Sequence, residues 1–401
     1  MLGVAEARAR ILAALRPTAS EMVALPEAWG RVAAADHAAR LRQPPADVSA
    51  MDGFCLRAAD ATPGTWLSIV GTAPAGHPWE GRVEAGQAVR IFTGSVIPAG
   101  ADAVLLLEDA QERDGRVTAR EAPRVGRHIR PAGQDFAPGS VLVARGKRIG
   151  ARDVGLLAAG NHPWARVHRR PRVALLATGD EIVLPGEPLP PGGIVSSNAH
   201  ALAALVQAAG GIARVLPLAA DDREAIGAAA DGATGADLLL TTGGASVGEH
   251  DLVLSALQAR GLALDFWKIA MRPGKPLMFG RLGALPMLGL PGNPVSAFVC
   301  AVLFVLPALY RLAGLADTSL PVARAVLGAA VPANDQRADH LRATLAPRAM
   351  ALPVATPFPV QDSSMLTRLA RGDALILRPP LAPALPEGAE VPVLPLSALG
   401  I

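Results

Sequence analysis

Between residues 172 and 315 short apolar runs alternate with helix-patterned stretches, the order expected of βαβ units and so of a parallel, doubly wound sheet. Arg172 to Ala177 reads as the first strand. Ser196, Ser197 and Asn198 offer capping side chains for a helix through Ala209, which ends at Gly210-Gly211. Asp237 to Thr242 is a second buried strand, followed by a glycine-rich loop and a helix from about Glu249 to Arg260. Phe266 to Ala270 and Pro286 to Leu290 supply two more strands, and the last of these feeds an apolar run from Ala297 to Tyr310. That run is fourteen residues long, short of the roughly 18 to 20 that cross a bilayer, so it predicts a buried helix and no membrane span.

The flanking regions differ in texture. In residues 1 to 42 Ala, Leu and Arg recur at helical spacing until Pro44 and Pro45 break the pattern, and Glu6, Arg8 and Arg10 interrupt what a secretory leader would need. The chain is therefore expected to be cytoplasmic. From 43 to 136 short β-type runs take over, such as Trp66 to Val70, Val89 to Phe92 and Ala103 to Leu107, separated by Gly and Pro turns. They read as a small β-domain inserted into a first, elongated domain made of residues 1–42 plus 137–170. Residues 137 to 165 return to a mixed pattern ending in a helix, and the basic stretch His168 to Arg172 reads as a solvated linker. Residues 171–318 then form the α/β domain, and residues 319–401, Pro-rich with short alternating runs, suggest a small β-barrel or sandwich. The expected fold class is multidomain α/β and β: a central doubly wound α/β domain, an inserted small β-domain, a helical N-terminal segment and a C-terminal β-barrel-like domain.

Composition excludes several functions. Cys55 and Cys300 are too few for a disulfide framework or a thiolate cage and suggest a reducing compartment. The eight histidines show neither HxH nor HExxH spacing, which argues against zinc. With a net charge of +3 and no basic tract interleaved with aromatics, nucleic acid is not the expected partner. One imbalance is informative: of 38 basic residues only Lys147, Lys268 and Lys275 are lysine.

Three groups of residues are candidates for chemistry. The loop Thr241 to Gly248 lies between a buried strand and a helix, where glycines let the backbone approach a ligand and helix-start N–H groups favour an anion. Such a loop is as often steric as functional, but its place at the carboxyl end of a parallel strand favours ligand binding. The second group, Phe266 to Pro276, puts Lys268, Arg272 and Lys275 within eight residues. A charged surface turn in this Arg-rich chain would use arginine, so lysine at both ends points to a compact ammonium for phosphate or another small oxyanion. Soon after, Gly289 to Ser296 forms a rigid turn into the apolar helix, with Ser296 near its first turn and Asn293 one of only four asparagines. The third group is acidic: Asp52 before Gly53, Asp135 in Gly-Gln-Asp-Phe, Asp180 and Glu181 after Thr178-Gly179, Asp221 and Asp222 opening a helix, and Asp251 after Gly248. Each alone fits a cap or turn. Several beside a phosphate-type loop fit Mg²⁺, which takes one or two carboxylates plus substrate oxygens.

At these residues the chain resembles the molybdopterin molybdenumtransferase family, called MoeA in bacteria and represented in animals by the gephyrin E domain. The motifs are Ser49-Ala50-Met51-Asp52-Gly53-Phe54, Arg90 to Gly94 with Pro98 to Val104, Thr178-Gly179-Asp180-Glu181, Thr242-Gly243-Gly244 through Gly248, Arg272-Pro273-Gly274-Lys275-Pro276 and Gly289 through Ser296, in family order over about residues 45 to 365. The resemblance implies a homodimer of elongated four-domain subunits with the active site at the dimer cleft and a molybdopterin-binding central domain. It implies molybdenum insertion from molybdate into adenylylated molybdopterin, with Mg²⁺-dependent release of AMP. Asp221 and Asp251 then match the acids at the adenylyl-pterin site and the Mg²⁺, and Gly243, Gly244, Ser246 and Gly248 match the pterin-phosphate cradle. Arg272, Lys275, Pro276, Ser296, Arg342 in His340-Leu341-Arg342-Ala343, and Ser363 match cofactor- and oxyanion-binding positions. Asp52, Asp135, Glu181 and Lys268 match further catalytic positions, Asp52 and Asp135 being contributed by the other subunit. The family commonly has lysine where this chain has Arg272, and glycine where it has Asp362.

Cations and backbone N–H groups suit this chemistry because molybdate, AMP and the pterin phosphate are all anions. Two other functions draw on the same motifs: a pterin-binding scaffold without turnover, which needs the glycine loop but not Asp221 and Asp251, and a molybdopterin adenylyltransferase, against which the long flanks argue. The adenylyltransferase and other proteins of cofactor synthesis are the expected macromolecular partners.

Overall fold

The computed structural model describes residues 1–243 and 252–401. Arg172–Ala177 lies inside a six-stranded sheet, flanked by Ile212–Val215 on one side and by Leu238–Thr242, Leu285–Leu290, Met278–Leu282 and Leu262–Trp267 in turn on the other. The first four strands are mutually parallel. The other two each pair antiparallel with their neighbour, so Met278–Leu282 runs against the rest, which corrects the expectation of a parallel sheet. Only Gly283 and Ala284 separate Met278–Leu282 from Leu285–Leu290, and two residues are enough for a hairpin but far too few for a parallel crossover.

Alternation along these strands feeds two cores. Val173, Leu175, Leu238, Leu240 and Leu288 face one, and Ala174, Leu176, Leu239 and Met287 face the other. On the first face lie Asn198–Ala208, the N-terminal Val4–Ala14, and a continuous helix Pro294–Leu312. On the second lie Arg223–Asp231 and Leu252–Ala259; Glu249, at the expected start of the latter, lies outside the described residues. The expected fourteen-residue apolar run is part of a 19-residue helix, the one among the described residues long and apolar enough to cross a bilayer, and its side chains fill the core instead. Pro307 lacks an N–H and crowds the carbonyl one turn back, and a wider π turn, Ala301–Val305, sits where that ladder is interrupted.

The N-terminal helix stops at Ala14, far short of the helical spacing that runs to 42. Leu15 is extended and Pro17 disfavours helix at the residue before it. The chain then forms Ser20–Ala24, paired antiparallel with Trp164–His168. The basic stretch is likewise no solvated linker: His168 is buried in that pair, and Arg169 holds Asp237 at 2.9 and 2.7 Å. Nor does the segment to 165 end in a helix, since Ala151–Ala159 is followed by the Trp164–His168 strand.

Gly53–Leu56, Leu67–Ala73, Gln87–Ile91, Ala103–Leu106, Ala110–Arg113 and Arg116–Ala119 make a separate six-stranded sheet, with Phe54, Leu56, Leu67 and Val117 in its core. At the C-terminus, Ala338–Ala346 pairs with both Val354–Pro357 and Ala374–Arg378, closing five strands into a barrel. Met271–Arg272 pairs alongside Ala338–Asp339 and ties the barrel to the central sheet. Cys55 and Cys300 are both buried, and burial pushes the Cys55 thiol up to about 12.

Candidate functional site

The parallel strands end at Ala177, Thr242 and Leu290, and the loops that leave them enclose a cavity of about 680 Å³. Glu181, Gly243, Pro276 and Ser296, expected from the sequence, line it. So do Thr178, Ser197, Asn198, Asn293 and Ser364. Gly243 leaves its strand at φ +95°, and a Cβ there would stand 2.4 Å from the Thr178 carbonyl oxygen, so a side chain is excluded on two counts. Gly274 is similarly constrained: at φ +109° it passes so close to Cys300 that a Cβ would meet Sγ at 2.4 Å, which presses the Arg272–Pro276 turn against the core helix.

Two helices begin at the cavity. Asn198–Ala208 has Ser197 at its cap, but no side chain caps it, contrary to the capping role expected of Ser196, Ser197 and Asn198. Asn198 instead spans the loops: Nδ2 donates to the Thr242 hydroxyl at 2.8 Å and to the Gly292 carbonyl at 2.7 Å. Pro294–Leu312 also begins here, with Pro294 at its first turn and the buried Ser296 two residues further in. Helix starts present unpaired N–H groups and a positive dipole end to an anion; at Pro294–Leu312 Pro294 has no N–H and Val295 donates to the Ser363 carbonyl at 3.1 Å, which leaves the N–H of Ser296. The Thr178 and Thr241 hydroxyls are buried with no partner among the described residues.

Beside the cavity the acids cluster. Asp180 accepts the backbone N–H of Asp221 at 2.9 Å. Partial burial pushes the Asp221 carboxyl above the usual range, and the negative charges of Asp180 and Glu181 add to the effect. Asp222 caps its helix by accepting from Glu224 and Ala225, as expected of an acid opening that segment. Among the described residues no group of three or more His, Cys, Asp or Glu has the arrangement of a resident metal site. Gly244, Ser246, Gly248 and Asp251 lie outside the described residues.

The expected oxyanion residues sit at the seam between the central sheet and the barrel. Arg272 is committed: Nε and Nη2 donate to the two carboxylate oxygens of Asp339 at 2.9 and 3.3 Å, and Asp335 lies 3.8 Å away. Arg342 is only 1% exposed, and Nη1 donates to the Asp362 carbonyl at 3.0 Å. Its Nε and Nη2 have no partner among the described residues, and burial pushes its pKa down. Ser363, next along from Asp362, accepts from Asn293 at 3.0 Å, which links Arg342 to the cavity wall. Lys275 is half-buried, and Lys268, at φ +72°, rests its ammonium 4.1 Å from the Trp267 ring.

Asp52 and Asp135 are not among the residues lining this cavity. Asp52 is exposed near the six-stranded sheet of the inserted region, where the Thr93 backbone N–H and hydroxyl donate to it at 2.7 and 2.8 Å and hold its pKa down. Asp135 is exposed, its N–H donating to the Gln43 carbonyl at 2.9 Å. Sequence reasoning gave Asn198 only a cap and passed over Asp339. Asn198 carried a usable signal, since two of only four asparagines, Asn198 and Asn293, face this cavity. Asp339 carried none, because its partner lies 67 residues away.

Three family profiles match the chain in order: the MoeA N-terminal region (domain I and II) over residues 2–160, a probable molybdopterin binding domain over 174–311, and the MoeA C-terminal region (domain IV) over 324–396. A molybdopterin molybdenumtransferase from a Nostoc species is 37% identical over 312 residues, 76% of this chain and 72% of the relative. The protein of that name from Bacillus subtilis is 33% identical over 386 residues, 94% of this chain and 89% of its own. Among solved structures, the molybdopterin biosynthesis MoeA protein from Pyrococcus horikosii aligns with a TM-score of 0.86 at 29% identity, covering 98% of this chain and 99% of that one.

Proposed function

Because the chain belongs to the molybdopterin molybdenumtransferase family and is a transferase of molybdenum cofactor biosynthesis, we propose that it inserts molybdenum from molybdate into adenylylated molybdopterin and releases AMP. The observation that carries this reading is the 680 Å³ cavity, where two helix starts, buried hydroxyls and a glycine that admits no side chain meet at the ends of parallel strands. Anionic phosphate groups would be held there by backbone N–H groups and hydroxyls, which need no charge reorganisation as the P–O bond breaks.

The donor set suits Mg²⁺ as a visiting ion. Asp221 offers a hard oxygen donor whose carboxyl is already pushed up by burial and by neighbouring acids, so a cation would relieve it. Asp221, with Asp251, would hold the ion, and substrate oxygens would complete its shell. Mg²⁺ bound there would offset charge on the phosphate during cleavage. Glu181 lines the same cavity, and in this reading it would accept or return a proton. Molybdate would approach from the seam, where Lys275, Arg272 and the Ser363 hydroxyl supply donors and Arg342 supports the Asp362–Ser363 turn.

On the same basis we divide the chain into residues 1–42 plus 137–170, 43–136, 171–318 and 319–401. Two copies would pair in the cytoplasm so that Asp52 and Asp135 of one subunit complete the site of the other. Purified protein given adenylyl-molybdopterin, Mg²⁺ and molybdate is expected to release AMP and retain molybdenum on the pterin. Binding without AMP release would leave a scaffold, and formation of adenylyl-molybdopterin from ATP would move the enzyme one step earlier.

A further inference from the structure

Asn198 is the point where three loops of the cavity meet, and its amide orientation is forced. The Gly292 carbonyl can only accept, so the side-chain nitrogen must face it, at 2.7 Å. The Thr242 hydroxyl donates to the Pro291 carbonyl at 3.4 Å and so accepts from the same nitrogen at 2.8 Å. Both amide hydrogens are used. The side-chain oxygen has no partner among the described residues, and the residue is half-buried in the cavity wall.

We infer that this oxygen reads a hydrogen-bond donor on the pterin ring, which makes Asn198 a specificity-determining residue of the site; the inference rests on the function proposed above. Most polar side chains around the cavity are hydroxyls, which serve as donor or acceptor and discriminate poorly. Asn198 Oδ1, Asn293 Oδ1 and the Glu181 carboxylate can only accept, and of the two amides Asn198 is the one held by both of its hydrogens. A pterin carries a ring N–H beside an exocyclic amino group, two adjacent donors that lose affinity when left unpaired. Molybdate presents only oxygen. An amide oxygen also accepts without adding negative charge beside an anionic ligand, as aspartate would, and aspartate would set an oxygen against the Gly292 carbonyl.

The test varies adenylyl-molybdopterin and molybdate independently with Asn198→Ala and with Asn198→Ser, which keeps a short donor to the loops while withdrawing the amide oxygen. Both variants are expected to raise KM for the pterin about tenfold and to leave KM for molybdate within about twofold. An unchanged pterin KM overturns the inference. So does a proportional loss against both substrates with a lowered melting temperature, which would make Asn198 a loop clamp only. If the wild-type protein gives no turnover, the functional reading fails instead, and equilibrium binding of molybdopterin still decides: equal affinity of wild type and Asn198→Ser would overturn the role of the oxygen.

Discussion

The cavity at the end of the central sheet and the seam between that sheet and the barrel hold polar side chains in opposite conditions. In the cavity, hydroxyls and the Asn198 oxygen stand without partners among the described residues, and Asp221 is crowded by like charge. At the seam, Arg272 is already forked onto Asp339 and Arg337 reaches Asp335 at 2.7 Å, while the buried Arg342 keeps Nε and Nη2 without partners among the described residues. Unpaired groups on rigid strand ends are prepared for a ligand, whereas paired ones must exchange a partner to receive it. On the proposed function, a pterin would fill vacancies in the cavity and an oxyanion at Arg272 would compete with Asp339.

Four experiments break or sharpen that contrast. The largest expected effect is Asp221→Asn, which removes the crowded carboxylate: AMP release should fall about 1000-fold, while pterin binding, measured directly, changes little. Unchanged turnover would take Asp221 out of the reaction.

Next is a pH effect at the seam. His340 is 6% exposed, and burial lowers its pKa to about 4 from an ordinary 6.5. The unfolded chain therefore takes up this proton first as pH falls. Its neutral form carries full stability above pH 6.5, and stability is lost between 6.5 and about 4, by up to about 3 kcal/mol. Urea unfolding at pH 7 and pH 4.5 should show the loss in wild type and much less of it in His340→Gln; equal slopes would sink the assignment. His37 has the same sign, lowered by burial and by His162.

Gly243→Ala sets a Cβ against the Thr178 carbonyl at a backbone angle that favours glycine, a strain of about 2 kcal/mol. It should lower the melting temperature and weaken pterin binding together, with molybdate affinity nearly unchanged. Equal weakening of both ligands would merge the two regions into one site.

The smallest effect is at Asp339. If Asp339 and molybdate compete for Arg272, Asp339→Asn should lower KM for molybdate about threefold, because Arg272 is half exposed and its ion pairing is screened. A raised KM would mean that Asp339 orients Arg272 for the oxyanion instead.

Much of this was legible in the chain. Arg172–Ala177 stands as its apolar run predicted, and the helix after Gly289–Ser296 is buried as its composition required. Glu181, Gly243, Pro276 and Ser296, scattered over about 116 residues, meet at one cavity because parallel strands bring their carboxyl ends to one edge. Errors arose where a local pattern lost to a distant partner. Helical spacing to residue 42 gave way to Ser20–Ala24 because Trp164–His168 was there to pair with it. The stretch His168–Arg172 looked solvated until Asp237 was seen to accept Arg169.

Sequence by itself determined the strand and helix periods, the turns that only glycine can make, and the ordered motifs that mark the family. These depend on backbone sterics and on residues close along the chain. Only the tertiary structure decided which of the last five strands pair to close the expected barrel, that Asn198 spans two loops rather than capping its helix, and that Arg272 faces Asp339. Each of those depends on register between segments tens of residues apart, where hydrogen-bond geometry rather than local preference selects the partner.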